Sequence, residues 1–195
     1  MAVAARHWRI GLTGCMASGK GEVVRLLEHL GLRVISLSDI VRREATKTGS
    51  AITRKQMQDI GNRLRREGGA GILGKMVREL IKSSEPASWV IDGIRNPAEV
   101  AELRKMPGFI LVGIESDEKI ILARMRQRGR STDTVAEAEL RTALAREWGH
   151  GEPEGGQQVG PTMALADFVI ANNGSLSELE AGLDRVLKEI GAKHD

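Results

Sequence analysis

The sequence predicts an α/β fold in three layers, with a five-stranded parallel sheet between two layers of helices. Five short apolar runs rich in β-branched residues alternate with stretches of helical periodicity, and this alternation is typical of a parallel sheet covered on both faces. The 195 residues and the 41% hydrophobic content suffice for a proper core, so residues 1–195 are expected to form a single domain. A glycine loop lies between the first apolar run and the first helix, where the ligands of such sheets bind.

The glycine loop has the pattern G-x-x-x-x-G-K of a phosphate-binding P-loop, so the predicted fold is that of the P-loop NTPases. In such a loop the backbone N–H groups surround an anion, and the lysine, here Lys20, reaches the outer phosphates. Gly21 stands where the usual pattern has a Ser or Thr that binds Mg²⁺. A dinucleotide-binding fold is the competing interpretation, but its G-x-G-x-x-G pattern is absent. The predicted ATP-binding residues are Gly14, Cys15, Met16, Ala17, Ser18, Gly19, Lys20, Gly21 and Glu22.

The elements of the first half follow in order from periodicity and from end signals. The first helix is predicted over 19–30, and Ser38 or Asp39 is expected to cap a second helix that begins at Ile40. Residues 50–82 carry no strand signal, so a helical insert at about 42–85 separates the second strand from the third. The five strands are predicted at residues 8–13, 33–37, 89–92, 109–114 and 168–170.

The second half of the chain adds helices with recognisable start signals, among them two capping boxes. Pro97 is expected at the start of one helix, and a second helix is predicted from about Asp117 to Arg128. Thr134 and Glu137 form a capping box ahead of a helix that ends at about Trp148, and Gly149–Pro161 is predicted as a polar loop. Ser175 and Glu178 form the capping box of the final helix.

Charged side chains follow the predicted strand ends and therefore meet at one edge of the sheet. Asp92 ends the third strand, where an acid is placed to hold Mg²⁺ through water; a helix-capping or turn role is the alternative. Arg42 and Arg95 follow the second and third strands, and as a pair they form a clamp for the phosphate of an acceptor. Asp39 lies beside them as a general base or an orienting group for a hydroxyl acceptor.

Four arginines follow the fourth strand, and all but Arg126, which points elsewhere on the helix, are candidates for a common site. Arg124 and Arg128 are four residues apart on one helix and share a face, and Arg130 follows in the loop. A solvated basic face is the alternative, but behind a P-loop these residues predict a short arginine-rich lid, about 124–150, that closes on the transferring phosphate. With Lys20 and Asp39 they complete the set of catalytic candidates.

Taken together, these residues resemble the P-loop nucleoside monophosphate kinases and dephospho-CoA kinases, including the adenylate-kinase-related proteins of archaea and bacteria. The resemblance implies that Asp39, Arg42, Asp92 and Arg95 contact the acceptor and that the lid arginines act on the transferring phosphate. The chain departs from that pattern because Asp92-Gly93-Ile94-Arg95 lacks the family's Phe-Pro and because the lid has no zinc-binding cysteines. The resemblance runs through Gly14–Gly21, Ile35–Arg42, Ile91–Arg95, Arg128–Arg130, Ala166–Asp167 and Asn173–Ser175.

The amino-acid composition indicates which classes of partner the protein is expected to bind. The net charge of +3 and the 3% aromatic content do not favour a nucleic-acid-binding surface. A single cysteine excludes an intrachain disulfide framework, and no apolar stretch is long enough to span a membrane, so a cytoplasmic setting is expected. The sequence leaves the oligomeric state open.

The expected function is transfer of the γ-phosphoryl group from ATP, with Mg²⁺, to a small nucleotide-like acceptor, first of all a nucleoside or deoxynucleoside monophosphate. Transfer to a ribose hydroxyl, as in dephospho-CoA kinases, and a non-catalytic ATP-binding regulatory module are the alternatives. A GTPase switch would need the motifs D-x-x-G and N-K-x-D, which Asp92–Arg95 and Asn172–Ser175 do not provide. A kinase of nucleic-acid ends would show steeply salt-dependent oligonucleotide binding.

Overall fold

The computed structural model describes residues 7–46, 54–128 and 137–191. Its strands form one parallel sheet, which confirms the predicted α/β fold with five parallel strands. The strands are β1 (Arg9–Thr13), β2 (Arg33–Ser36), β3 (Trp89–Ile94), β4 (Phe109–Glu115) and β5 (Phe168–Ala171). Their order across the sheet is β2-β3-β1-β4-β5, so the strand that precedes the glycine loop lies at the centre.

The described helices cover both faces of the sheet. They are α1 (Lys20–His29), α2 (Leu37–Thr46), α3 (Arg54–Gly68), α4 (Ile72–Lys82), α5 (Pro97–Leu103), α6 (Glu118–Arg128), α7 (Glu137–Trp148), α8 (Val159–Met163) and α9 (Leu176–Glu189). Helices α1 and α9 pack on one face through residues such as Leu27 and Leu183, and α2, α4 and α5 pack on the other. None of the helices in these described ranges is long and apolar enough to cross a bilayer.

A third apolar cluster lies around the glycine loop. Cys15 and Met16 of that loop pack with Met125 of α6, Leu144 of α7 and Val159 of α8. The helices that follow β4 therefore pack directly against the glycine loop.

Two of the predicted start signals are confirmed at atomic detail. Asn96 caps α5 with Pro97 in its first turn, and Ser175 and Glu178 form the capping box of α9. The helical insert is confirmed as α3 and α4 between β2 and β3, with the break at the predicted glycines.

Three boundaries differ from the prediction. Helix α2 begins at Leu37, not at Ile40, because the side chain of Ser36 accepts the backbone N–H of Ser38 at 3.2 Å and so provides the cap two residues earlier. Strand β3 continues to Ile94, which pairs with Thr13 of β1. The predicted polar loop at Gly149–Pro161 contains the start of α8, since Val159 is buried in the cluster around the glycine loop.

The segment predicted as a lid, about 124–150, contains the end of one packed helix and the whole of another. Helix α6 ends at Arg128 and α7 begins at Glu137, and both bury apolar side chains, among them Met125 and Leu140. The capping residue predicted at Thr134 and the lid arginine Arg130 lie outside the described residues.

Candidate active site

The glycine loop between β1 and α1 has the geometry that its glycines predict. Gly14 and Gly19 have φ angles of +140° and +105°, a region that side chains rarely adopt. A Cβ atom at Gly19 would also lie 2.0 Å from Nδ2 of Asn172. Helix α1 starts at Lys20 with no side-chain cap, so its first backbone N–H groups remain available to an anion.

The ammonium of Lys20 lies within the loop. Its Nζ donates to the carbonyl oxygens of Gly14 and Cys15 at 2.5 and 2.7 Å. Burial lowers the pKa of Lys20, and the charge of Arg95 acts in the same direction, while Glu147 and Asp92 oppose the shift. A bound anion would add further negative charge next to Nζ, so the site favours the charged ammonium most when a phosphate is present.

Side chains that follow β4 and β5 hydrogen-bond to the glycine loop at Ser18. Asn172 Nδ2 donates to the carbonyl oxygen of Ser18 at 2.7 Å, and Ser116 Oγ donates to the same oxygen at 3.1 Å. Arg124 donates to Ser116 Oγ and to the carbonyl oxygen of Asn172, each at 3.1 Å. Arg124 therefore lies at the base of the loop, whereas the sequence predicted it in a lid.

Cys15 belongs to the glycine loop and is buried, and it is the only cysteine of the chain. Burial, with the negative charge of Glu147, raises the pKa of its thiol to about 12, although Lys20 and Arg95 oppose the shift. The side chain of Cys15 packs in the apolar cluster around the glycine loop.

We therefore expect the thiol of Cys15 to resist alkylation in the folded protein. At pH 8 only about one thiol in ten thousand would be ionised at this pKa, whereas an unperturbed cysteine ionises near pH 8.5. Intact-mass measurement of iodoacetamide labelling should show native protein reacting at least about 100-fold more slowly than the same protein in urea. Equal rates in the two states would contradict the buried position of Cys15.

One cavity of about 1360 Å³ joins the glycine loop to the helical insert. Its first half lies beside the loop and the start of α9, and its second half lies between α2, α3 and β3. The first half is lined by Gly19, Lys20, Gly21, Glu22, Arg124, Asn172, Gly174 and Leu176, and the second by Leu37, Ser38, Asp39, Val41, Arg42, Met57, Gln58, Gly61, Arg65, Asp92 and Arg95.

Asp39 and Arg42 both line the second half of the cavity, as their positions after β2 predict. They form an ion pair one helical turn apart on α2, and more than half of each side chain is exposed. Such exposed pairs are weak, so either group is available to a ligand at little cost.

Asp92 reaches the same cavity from β3, next to the glycine loop. Its Oδ1 atom is buried and has no hydrogen-bond partner. A buried carboxylate oxygen without a partner is costly, which makes it a natural contact for a cation or a polar ligand group. The described residues contain no cluster of three or more His, Cys, Asp or Glu that could hold a metal by itself.

Arg95 lines the cavity, but its guanidinium is engaged by a carboxylate that sequence reasoning missed. Its Nη1 forms an ion pair with Oε1 of Glu147 from α7 and lies 3.5 Å from Oε1 of Gln157. Glu147 is fully buried, and its other oxygen accepts the backbone N–H of Met16 at 2.7 Å. Burial lowers the pKa of Arg95, but Glu147, Asp92 and Glu99 outweigh it, so the net pKa is raised and Arg95 stays charged.

A second buried ion pair fixes the insert to the loop that carries Arg95. Arg65 of α3 donates from Nε and Nη2 to Oε1 of Glu99 at 3.0 and 2.8 Å, and the two side chains are 2% and 0% exposed. The other oxygen of Glu99 accepts the backbone N–H groups of Arg95 and Asn96. No motif marked Arg65, Glu99 or Glu147, because each acts through a partner far away in sequence.

The structure thus brings together the glycine loop, Asp39, Arg42, Asp92, Arg95 and Arg124 around one cavity. Arg128 ends α6, but its side chain is not among the described positions, and Arg130 is outside the described residues. The roles predicted for these two arginines therefore stay predictions.

Comparison with known proteins identifies the family of this chain. A family model described as an AAA domain matches residues 13–141. A UPF0200 protein of Methanothermobacter thermautotrophicus is 34% identical over 94% of this chain and 91% of that protein. A UPF0200 protein of Pyrococcus horikoshii is 35% identical over 92% and 95%. The chain belongs to the UPF0200 family and carries this AAA domain.

Among solved structures, the fold of this UPF0200 protein is similar to that of two shikimate kinases. The enzyme from Acinetobacter baumannii in complex with shikimate has a TM-score of 0.56 at 18% identity, over 97% of this chain and 96% of that one. The enzyme from Bacteroides thetaiotaomicron has a TM-score of 0.57 at 15% identity, over 94% and 98%. At such identities the likeness shows the fold alone, which is that of a P-loop kinase. Membership in the nucleoside monophosphate kinases or dephospho-CoA kinases stays a prediction.

Proposed function

We propose that this protein is an ATP- and Mg²⁺-dependent phosphotransferase that acts on a small nucleotide-like acceptor, first of all a nucleoside or deoxynucleoside monophosphate. The observation that carries the proposal is one continuous cavity, which runs from the glycine loop to the helical insert and bears basic side chains in both halves. A donor and an acceptor bound in the two halves would meet beside Lys20, Asp92 and Arg95.

The residues of this chain supply alignment and charge neutralisation, which are the main requirements of phosphoryl transfer. The loop backbone and Lys20 would hold the donor phosphates, and Arg95 lines the same cavity, close enough to Lys20 for its charge to lower the pKa of that lysine. Arg42 and Arg95 provide the two-pronged contacts that suit an acceptor phosphate. Arg128 and Arg130 belong to this proposal as lid residues that close on the transferring group.

The residues present fit Mg²⁺ held largely by the nucleotide. Asp92 offers one buried, unpartnered carboxylate oxygen, and a magnesium ion bound through phosphates and water needs only one or two such groups. A side chain at Gly21 would meet nothing within 4 Å, so the missing Ser or Thr leaves room for water. When bound, Mg²⁺ neutralises phosphate charge and helps to orient the phosphates.

Asp39 favours a second acceptor class. An acceptor phosphate is already nucleophilic, whereas a ribose hydroxyl requires a carboxylate to orient it or take its proton. The exposed carboxylate of Asp39 lines the acceptor half, so transfer to a hydroxyl, as in dephospho-CoA kinases, is the alternative reaction at the same site.

The test is ADP release from ATP·Mg²⁺ across ribo- and deoxynucleoside monophosphates and dephospho-CoA. We expect one of these to stimulate release well above the rate without acceptor. The matched nucleoside, which lacks the phosphate that Arg42 and Arg95 would bind, should bind about 10- to 100-fold more weakly, corresponding to loss of a charge-assisted bidentate contact. Stimulation by dephospho-CoA alone would select the hydroxyl reaction, and ATP binding without stimulation by any acceptor would favour a regulatory module.

A further inference from the structure

Glu147 touches both the donor loop and the arginine of the acceptor half. It is 0% exposed, and its two oxygens contact the Met16 N–H of the glycine loop and the Arg95 guanidinium after β3. A buried carboxylate is stable only when it is paired and hydrogen-bonded, and these two contacts satisfy both of its oxygens.

Arg95 is consequently held at both ends by buried carboxylates. Glu99 accepts its backbone N–H at 2.8 Å, and Glu147 accepts from its side chain. Within the described residues, Glu147 and Gln157 both accept from Nη1, and Arg95 also lines the cavity, where Nε and Nη2 would meet a ligand. Those two nitrogens form the edge with which a guanidinium grips a phosphate.

The contact of Glu147 with the loop is not easily opened. Helix α7 packs Leu140 and Leu144 into the same apolar cluster as Cys15 and Met16. Withdrawal of Glu147 would break this packing and leave Arg95 with an unpaired buried charge, which is costly. The position of Arg95 is therefore tied to the backbone of the donor loop.

We propose that Glu147 is a positioning residue for phosphoryl transfer, which holds Arg95 in register with the glycine loop at the point where donor and acceptor meet. This inference rests on the proposed function. Glu147 does not line the cavity; it positions the side chain of Arg95, which does.

The test compares Glu147→Gln with the wild-type protein on the acceptor that stimulates ADP release. The amide can still accept the Met16 N–H, but it no longer pairs with Arg95. We expect kcat with that acceptor to fall about 10- to 100-fold, as for a misplaced catalytic group, while the Kd of ATP changes by less than about threefold. Glu152→Gln is the matched control, because it removes another carboxylate, which pairs with Arg146 and whose side chain is 7% exposed, and neither of these residues lines the cavity.

The decisive variant adds Arg95→Met. If Glu147 acts through Arg95, the change to Gln should have no further effect on kcat in the Arg95→Met background. A folded Glu147→Gln variant with wild-type kcat would overturn the inference, and so would an equal loss in Glu152→Gln or an additive loss in the double variant. These results presuppose an active wild-type protein; a wild type that transfers phosphate to none of the acceptors would instead overturn the proposed function, and the inference with it.

Discussion

Replacement of Lys20 by alanine is expected to lower the rate of phosphoryl transfer by about 100- to 1000-fold, the scale observed when one preorganised donor to developing charge is lost. The Nζ atom already lies inside the loop, where it donates to the carbonyl oxygens of Gly14 and Cys15. The charge is therefore fixed before the nucleotide binds, and little reorganisation is needed when charge develops on the phosphates. The measurement is kcat at saturating ATP and acceptor, together with the Kd of ATP by calorimetry.

The matched control for this variant is Lys82→Ala, since the side chain of Lys82 is 55% exposed on α4 and pairs with Glu79 on the surface. We expect that variant to keep the kcat and the thermal stability of the wild type. A Lys20→Ala protein that is folded and transfers phosphate at the wild-type rate would show that the loop does not bind the reacting phosphates, and the proposed function would then lose its donor half.

The fold was predictable because its signals are local. The strands of this sheet are short apolar runs, and the starts of α5 and α9 are marked by Pro97 and by the Ser175 capping box. The order of the strands was not predicted, because pairing joins segments such as β1 and β4 that are about a hundred residues apart. The start of α2 was misplaced by three residues, since Ser36 provides the cap and Ser38 carries the same signal.

In the candidate site, too, residues marked by local sequence signals could be predicted, and residues that act through distant partners could not. Lys20, Asp39 and Arg95 follow β1, β2 and β3, and Asp92 lies near the end of β3; parallel strands bring such positions to one edge of the sheet whatever the order of the strands. Glu147 contacts Met16 across 131 residues of sequence, so no spacing identifies it. Its only signal is an acid near the end of an otherwise amphipathic helix, and a solvated residue gives the same pattern. Arg124 was assigned to a lid for a related reason, because sequence shows the helix but not the face that contacts Asn172.

The buried pair of Arg65 and Glu99 leads to the second large effect. Glu99→Gln should lower the free energy of unfolding by about 3–5 kcal/mol, because it leaves the Arg65 charge buried without a counter-ion. That loss is a large part of the total stability of an ordinary domain. Urea unfolding measures it as a shift in midpoint at constant slope. Glu79→Gln, which breaks only exposed or partly exposed pairs, is the control and should cost less than about 1 kcal/mol.

Removal of both charges separates stability from function. In the double variant Arg65→Met with Glu99→Gln no charge is left unpaired, so most of the lost stability should return, and a loss that persists in full would contradict the ion-pair explanation. Glu99 also accepts the backbone N–H of Arg95, and Arg65 lines the acceptor half of the cavity. A double variant that is stable but slow in phosphoryl transfer would therefore show that the pair is kept for the geometry of the cavity. Because a pair without charges could stabilise the fold about as well as the buried ion pair, we expect this outcome.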